Sequence, residues 1–386
     1  MDIAILTLAQ GYSRNRKTDK ENIRLGIQIK GMNEFLAQIL QKKSSRFSVE
    51  IKRNHSIFAP GREYTISGTF PNLKNFCFFL SNEELGRAQK KIIKHMHAAL
   101  LNYSKDTICF KCRSYKIDLQ KKPRIMGILN VTPDSFSDGG EYFSEEKAIE
   151  HALELEAEGA DIIDIGAEST RPGAKPVPAY KQLKRIKGIV RILGKKIKIP
   201  ISIDTSSSVV AQHCLDLGAS IINDIFSLRK DKKLGKLIAR YKAGIILMHM
   251  NKNPRIMQKN PVYNDLITQI ISFLAKAKEK ALSYGIAEEN IVLDPGIGFG
   301  KTTEHNLKII KFLTRFKILG APILVGTSRK SFIGNVLNVP VAEREFGTAA
   351  GVVFSVLNGA SIVRVHNVKQ MKQVITLTEA IKKQRV

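Results

Sequence analysis

The chain has 386 residues, 43% of them hydrophobic, and no run approaches the roughly 18 consecutive apolar residues of a membrane span. Four cysteines in a chain this long exclude a disulfide scaffold and point to a reducing, cytoplasmic compartment. The net charge of +27 raises the question of a nucleic-acid partner, but residues 1–122 hold 23 Lys+Arg against 10 Asp+Glu and the rest hold 39 against 25, so the excess is spread. It reads as a solvated, lysine-rich surface that steers small anions inward, and nucleic acid is not the expected partner.

The chain opens MDIAILTLAQGYSRNR, with a short apolar stretch, nothing basic before it and no convincing cleavage site, so no signal peptide is expected. Arg14–Lys20 and Lys42–Arg53 are polar and basic, and Tyr64–Gly68 has the composition of a strand. Over Glu83–Asn102 the apolar residues Leu85, Ala88, Ile92, Met96, Ala99 and Leu100 recur at helical spacing and predict an amphipathic helix. Residues 1–105 are therefore expected to form a small α+β extension packed on the rest, of unassigned role. Cys109-Phe-Lys-Cys112 has no second Cys pair or spaced Cys/His pair beside it, which favours a structural reading over zinc or redox chemistry.

From Arg124 a rhythm of short β-branched runs and longer helical runs begins. Strands are expected at Arg124–Val131, Ile162–Ala167, Pro200–Asp204, Ile221–Ile225, Gly244–His249, Ile291–Gly296, Pro322–Ser328 and Ile362–Val368. Helical stretches such as Ser144–Gly159, Tyr180–Lys196 and Tyr263–Gly285 separate them, with glycines 159, 218, 285 and 320 where helices should stop. The strands are apolar throughout, as in a parallel sheet covered on both faces. Eight such units in about 260 residues predict a (β/α)8 TIM barrel over residues 106–386 rather than an open doubly wound sheet.

In a TIM barrel the chemistry lies at the C-terminal ends of the strands. Every predicted strand carries a polar residue there: Asn130, Asp164, Asp204, Asn223, His249, Asp294, Ser328 with Lys330, and Arg364 with His366. Two loops, Thr132–Gly140 and Ser169–Gly173, are rich in small and polar residues and suit closure over a reactive centre. The plain alternative for Asp204 is that it caps a helix opening at Thr205-Ser206-Ser207.

Met126-Gly-Ile-Leu-Asn-Val-Thr-Pro-Asp-Ser-Phe-Ser-Asp-Gly-Gly140 resembles the first signature of dihydropteroate synthases, and Glu168-Ser-Thr-Arg-Pro-Gly173 resembles the second. Ser202–Thr205, Ile222–Ile225, Leu293–Gly296, Gly326–Ser331 and Arg364-Val-His366 resemble the remaining motifs, in order. The resemblance covers about residues 106–386 and implies an enzyme of folate biosynthesis. Such a transferase condenses 6-hydroxymethyl-7,8-dihydropterin pyrophosphate with p-aminobenzoate, giving 7,8-dihydropteroate and pyrophosphate. It implies catalytic roles for Asp204, Lys330, Arg364 and His366. Asp204, Asn223, Asp294 and Lys330 would meet the pterin, Arg364 and His366 the pyrophosphate, and Asp164 and Met248 would also be substrate-binding. Asn130 would be the protein ligand to Mg²⁺. Thr170, Arg171, Pro172, Phe299 and Ser331 would border p-aminobenzoate, while Asp134 and Phe136 belong to loop closure. It further implies a homodimer, and a hairpin over Ile108–Leu119 before the first barrel strand. Two small departures, Gly-Ala-Glu-Ser-Thr and Arg-Val-His-Asn, remove none of these side chains, although the second could change how His366 is oriented.

A pterin-binding methyltransferase domain shares the fold and the acidic pterin residues. It needs neither the first-strand signature nor the Ser-Arg-Lys-Ser and Arg-Val-His segments, whose presence favours pyrophosphate chemistry. A synthase serving a modified pterin pathway is a related reading.

Overall fold

The computed structural model describes residues 3–7, 24–30, 32–54, 63–105, 109–131, 141–169, 173–174, 176–252, 254 and 256–384. The chain divides into two units, Met1–Asp106 with Thr314–Gly320, and Thr107–Leu313 with Ala321–Val386.

The first unit holds β1 (Ile3–Thr7), β2 (Arg24–Lys30), α1 (Glu34–Ser44), β3 (Glu50–Asn54), β4 (Glu63–Thr69), α2 (Phe70–Ser81) and α3 (Arg87–Ser104). Its strands form one antiparallel sheet in the order β1-β2-β4-β3. Asn33 and Thr69 cap α1 and α2 by accepting from the Leu36 and Asn72 amides, and both helices bury leucines. The helix over Glu83–Asn102 and the strand at Tyr64–Gly68 are present with boundaries moved by a few residues. Strands β1, β2 and β3 and helices α1 and α2 had no expectation attached.

The second unit opens with a hairpin, β5 (Cys109–Cys112) and β6 (Tyr115–Asp118), as the family resemblance implied. Eight parallel strands follow: β7 (Arg124–Asn130), β8 (Ile162–Gly166), β9 (Ile201–Asp204), β10 (Ile221–Asp224), β11 (Gly244–Met248), β12 (Ile291–Asp294), β13 (Leu324–Val325) and β14 (Ile362–Val365). Consecutive strands pair from β7 to β12, and β14 pairs with both β7 and β13. A parallel bridge from Leu293 to Ile323 closes the circle. The connecting helices are α4 (Glu141–Ala157), α5 (Ala179–Lys196), α6 (Ser208–Asp216), α7 (Leu234–Tyr241), α8 (Leu266–Ser283), α9 (Thr303–Lys311), α10 (Ser331–Leu337), α11 (Glu345–Leu357) and α12 (Val368–Lys382). This is the predicted TIM barrel.

Isoleucine dominates because each strand is covered on both faces: every residue of β8, β10, β11 and β12 is buried. Gly159, Gly218, Gly285 and Gly320 take the left-handed backbone at helix ends, as anticipated. Strand β13 is shorter than Pro322–Ser328, because only Leu324 and Val325 pair with β14. Beyond Val325 the chain leaves the sheet to build the Gly326–Lys330 turn.

At the N-terminal end of the barrel the hairpin acts as a plug. Phe110, Cys112, Ile117 and Leu119 pack against Met126, Ile162, Ile221, Ile246, Val292, Leu324 and Ile362, one residue from each strand but β9. Burial pushes the Cys112 thiol up to about 12, so it stays protonated and behaves as an apolar filler. That accounts for half of the Cys-x-x-Cys pair in structural terms.

Candidate active site

The polar strand ends converge on one charged network at the C-terminal mouth of the barrel. Asp164, on β8, has no exposed side-chain surface. Its Oδ1 accepts from Ser202 Oγ at 2.6 Å, and its Oδ2 accepts from Asn223 Nδ2 at 3.1 Å and from Arg364 Nε at 2.7 Å. Arg364 Nη2 also donates to Asp204 Oδ2 at 3.4 Å. One guanidinium from β14 thereby links the ends of β8 and β9 across the barrel. Burial opposes the charge on Arg364, but Asp164 and Asp204 outweigh it and hold its pKa up. Removing either carboxylate would leave a buried cation short of partners.

Asp204 does not cap the following helix. Ser207 does that, accepting from the Val210 amide, while Asp231 accepts from Ser208 N at 2.8 Å. The Asp204 carboxyl stays at the mouth with 11% of its side chain exposed. Burial first, then the neighbouring Asp164, push its pKa up to about 7 in spite of Arg364. Gly166 keeps the space beside it open: a Cβ there would lie 3.5 Å from Asn130 Oδ1 and 3.7 Å from Asp204 Cβ. Asn130 itself is exposed at the end of β7.

On the other side of the mouth stand Asp294 and Lys330. Asp294, buried at the end of β12, accepts from the Gly296 amide at 2.6 Å, and burial raises its pKa against the pull of Lys330. Lys330 donates to the Ile297 carbonyl and lies 5.0 Å above the Phe299 ring. Burial pushes its ammonium down to about 8, with Asp294 opposing. The turn that presents Lys330 is strained at Arg329, whose φ is +56°. Its amide donates to Thr348 Oγ1 at 3.1 Å and its carbonyl accepts from Arg344 Nη1 at 3.1 Å, so the conformation is held from both sides. Ser328 Oγ lies 3.0 Å from His366 Nδ1 and accepts from the His366 amide at 3.3 Å, which fixes that ring at the end of β14. Ser331 is exposed at the first position of α10.

Met248 and Phe299 meet in an apolar wall with Ile225, Phe226, Met250 and Met257. The residues Asp134, Phe136, Thr170, Arg171 and Pro172 lie outside the described residues. The base of their second loop is visible: Glu168 accepts from the Val177 amide at 3.0 Å and from Gln182 Nε2 at 3.0 Å, and Gln182 Oε1 accepts from Thr205 Oγ1 at 3.1 Å.

The mouth therefore offers carboxylates and a carboxamide for N–H donors, cations for an anion, and an apolar wall for a ring. The pterin binding enzyme family matches this chain over residues 126–366. The dihydropteroate synthase of Synechocystis is 45% identical over 265 residues, covering 68% of this chain and 92% of the relative. The chain belongs to the dihydropteroate synthase family. The Escherichia coli dihydropteroate synthase is 43% identical over 260 residues, covering 67% of this chain and 91% of its own length. Among solved structures, a Yersinia pestis dihydropteroate synthase with a sulfonamide drug complex superposes with a TM-score of 0.68 at 40% identity. It covers 72% of this chain and 100% of the other. A Xanthomonas albilineans dihydropteroate synthase in complex with 7,8-dihydropteroate gives 0.65 at 33% identity, with the same coverage. The activity is accordingly that of a dihydropteroate synthase, a transferase of folate synthesis.

Three buried polar residues beside these strand ends, Ser202, Gln182 and Lys301, had no individual role expected from the sequence. Ser202 lies two positions before Asp204 and therefore shares its face of β9, which is the signal that finds it. Gln182 on α5 and Lys301 after β12 carry no such signal, because their partners are set by tertiary packing.

Proposed function

We propose that the network described above binds the pterin pyrophosphate and p-aminobenzoate in defined places. Asp204, Asn223 and Asp294 accept from or donate to the pterin's aminopyrimidine edge, Lys330 donates to a ring acceptor, and Met248 packs on the ring. Asp164 acts through Asn223 and Arg364, since its side chain is fully buried and both oxygens already accept from protein groups. Arg364 and His366 receive the pyrophosphate, where cations and N–H donors are needed. Phe299, Ser331 and the loop residues Thr170, Arg171 and Pro172 border p-aminobenzoate, and Asp134 and Phe136 close the first loop. In the reaction the amine nitrogen forms a bond to the pterin methylene carbon, the carbon–oxygen bond to pyrophosphate breaks, and the amine loses a proton. Nearby carboxylates favour positive charge building on the pterin.

Mg²⁺ belongs to the same proposal. Asn130 supplies one hard oxygen, and among the described residues no three His, Cys, Asp or Glu side chains form a cage. That donor set suits a cation that is completed by phosphate oxygens and water and neutralises the leaving group.

A homodimer is favoured by exposed apolar side chains on and between α10 and α11, namely Val336, Leu337, Val341, Phe354 and Phe346, the last 90% exposed. No helix among the described residues is long and apolar enough to cross a membrane. Cytoplasmic residence and the division into an extension, 1–105, and a catalytic barrel, 106–386, complete the proposal.

The observation that carries it is Arg364 bridging Asp164 and Asp204 opposite the Asp294–Lys330 pair. The test supplies purified protein with the pterin pyrophosphate, p-aminobenzoate and Mg²⁺. Dihydropteroate and pyrophosphate from the wild type but little from Asp204→Asn is the expected result. Equal turnover by both would remove Asp204 from the pterin site.

A further inference from the structure

Lys301 follows the loop Gly296-Ile-Gly-Phe-Gly300 at the end of β12 and is 3% exposed. Its ammonium has no carboxylate within ion-pair distance among the described residues. It donates to Phe299 O at 3.0 Å and His249 O at 3.4 Å, and lies 3.0 Å from His249 Nδ1. Burial, then Lys301 and Arg229, push the His249 imidazole down to about 2. The ring is therefore neutral, and burial also pushes the Lys301 ammonium down to about 7, so the two nitrogens share one hydrogen bond.

The loop itself alternates, with φ of +71°, +82° and +63° at its three glycines. Four consecutive carbonyls of this loop each accept from a side chain. Ile297 O takes Lys330, Gly298 O takes Gln258 Nε2 at 2.7 Å, Phe299 O takes Lys301, and Gly300 O takes the Tyr263 hydroxyl at 2.9 Å. Ile297 and Phe299 pack by their side chains and the Gly298 amide donates to Asn306 Oδ1 at 2.8 Å, but the three glycines bring no side chain to hold the peptide planes between them. Those donors fix its carbonyls, and the buried cation among them that does not face the mouth is Lys301.

We propose that Lys301 is a positioning residue of the substrate pocket: held between His249 and the Phe299 carbonyl, it fixes the peptide that aims the Phe299 ring beside Lys330. This rests on the assignment of Phe299 to the p-aminobenzoate wall. Phe299 is the one residue of the loop whose side chain enters that wall, so a turn of its peptide moves the ring. The pterin edge is assigned to Asp204, Asn223 and Asp294 at the ends of β9, β10 and β12, none of which hydrogen-bonds the Phe299–Gly300 peptide.

The test is steady-state kinetics on the full chain with both substrates varied, the folded fraction of each variant being measured by chemical unfolding. Lys301→Met keeps the stem and removes the donor, whereas Lys301→Gln keeps a neutral N–H donor. Lys301→Met is expected to raise KM for p-aminobenzoate about tenfold, with KM for the pterin pyrophosphate changed less than about twofold. Lys301→Gln is expected to recover most of this, leaving a rise of about threefold, and it alone decides the matter if the Met variant does not fold. An unchanged p-aminobenzoate KM in a folded variant, or a loss of kcat that only tracks the folded fraction, overturns the proposal. Phe299→Ala in the same assay separates the two levels. If it leaves the p-aminobenzoate KM unchanged, the wall assignment fails and the proposal with it. If it raises that KM while Lys301→Met does not, Lys301 alone is misassigned.

Discussion

The two ends of the barrel are built on the same strands, only two residues apart on β8, β10, β12 and β14, yet they are made of opposite materials. At the N-terminal end, Met126, Ile162, Ile221, Ile246, Val292, Leu324 and Ile362 meet the Phe110–Leu119 hairpin in a wholly apolar plug. At the C-terminal end, Asp164, Asp204, Asn223 and Arg364 meet one another in a hydrogen-bonded network, and Asp294 stands buried at the same mouth. The plug contributes stability by removing apolar area from water. The mouth concentrates buried charges whose burial works against stability, and their arrangement is accounted for by ligand chemistry. A change in the plug should therefore register in unfolding alone, and a change at the mouth in binding and turnover whether or not unfolding also registers it.

The largest break in this contrast is expected from Asp164→Ala. It strips Arg364 and Asn223 of their shared partner and leaves a buried cation under-compensated. Turnover should fall by on the order of a hundredfold or more, and stability should fall by about 3–5 kcal/mol. Kinetics paired with urea unfolding check both values. A loss confined to stability would mean that the network is a structural tie and not a substrate site.

Phe110→Ala is the matching change at the other end. It should cost about 3–5 kcal/mol in urea unfolding, as for a fully buried aromatic side chain. KM for either substrate should stay within about twofold once corrected for folded protein. A large KM change would show that the plug and the mouth are coupled, which the contrast denies.

The smallest effect is expected at Ser207→Ala. Loss of the α6 cap should lower stability by about 1 kcal/mol. Turnover should hold, because Asp204 is not the cap and is not asked to replace it. If turnover instead fell with the cap, Asp204 would be drawn into capping and away from the mouth.

The barrel was legible because parallel strands buried on both faces leave a plain mark: β-branched runs such as Ile162–Ile165 and Ile221–Ile222 at even intervals. The strand-end polars were legible for the same reason, since a barrel gives position along a strand a functional meaning. Partners were not. Nothing in the chain says that Asp164 spends both oxygens on Ser202, Asn223 and Arg364, because these residues lie 38, 59 and 200 positions away. Lys301 was missed because its acceptors are backbone carbonyls and a histidine ring, which have no pattern. In the first unit, β3 escaped because a short, charged strand such as Glu-Ile-Lys-Arg-Asn shows little periodicity, whereas β2 does alternate, with Leu25, Ile27 and Ile29 buried, and was overlooked.

The central claim is that the Asp204 carboxylate anchors the pterin, and pH gives the most direct access to it. In the free protein its pKa is pushed up to about 7 by burial and by Asp164, so the acceptor form grows as pH rises through that value. Pterin binding, followed by titration calorimetry between pH 5.5 and 8.5 on wild type and Asp204→Asn, should tighten with rising pH in the wild type. Affinity should weaken by about tenfold for each pH unit below about 7 and level off above it until Lys330, pushed down to about 8, begins to lose its proton. The variant, which has no proton to lose at that position, should bind more weakly and show a flatter profile, and this difference also cancels any titration of the pterin itself. The same slope and affinity in both proteins would contradict the account and move the anchor away from Asp204.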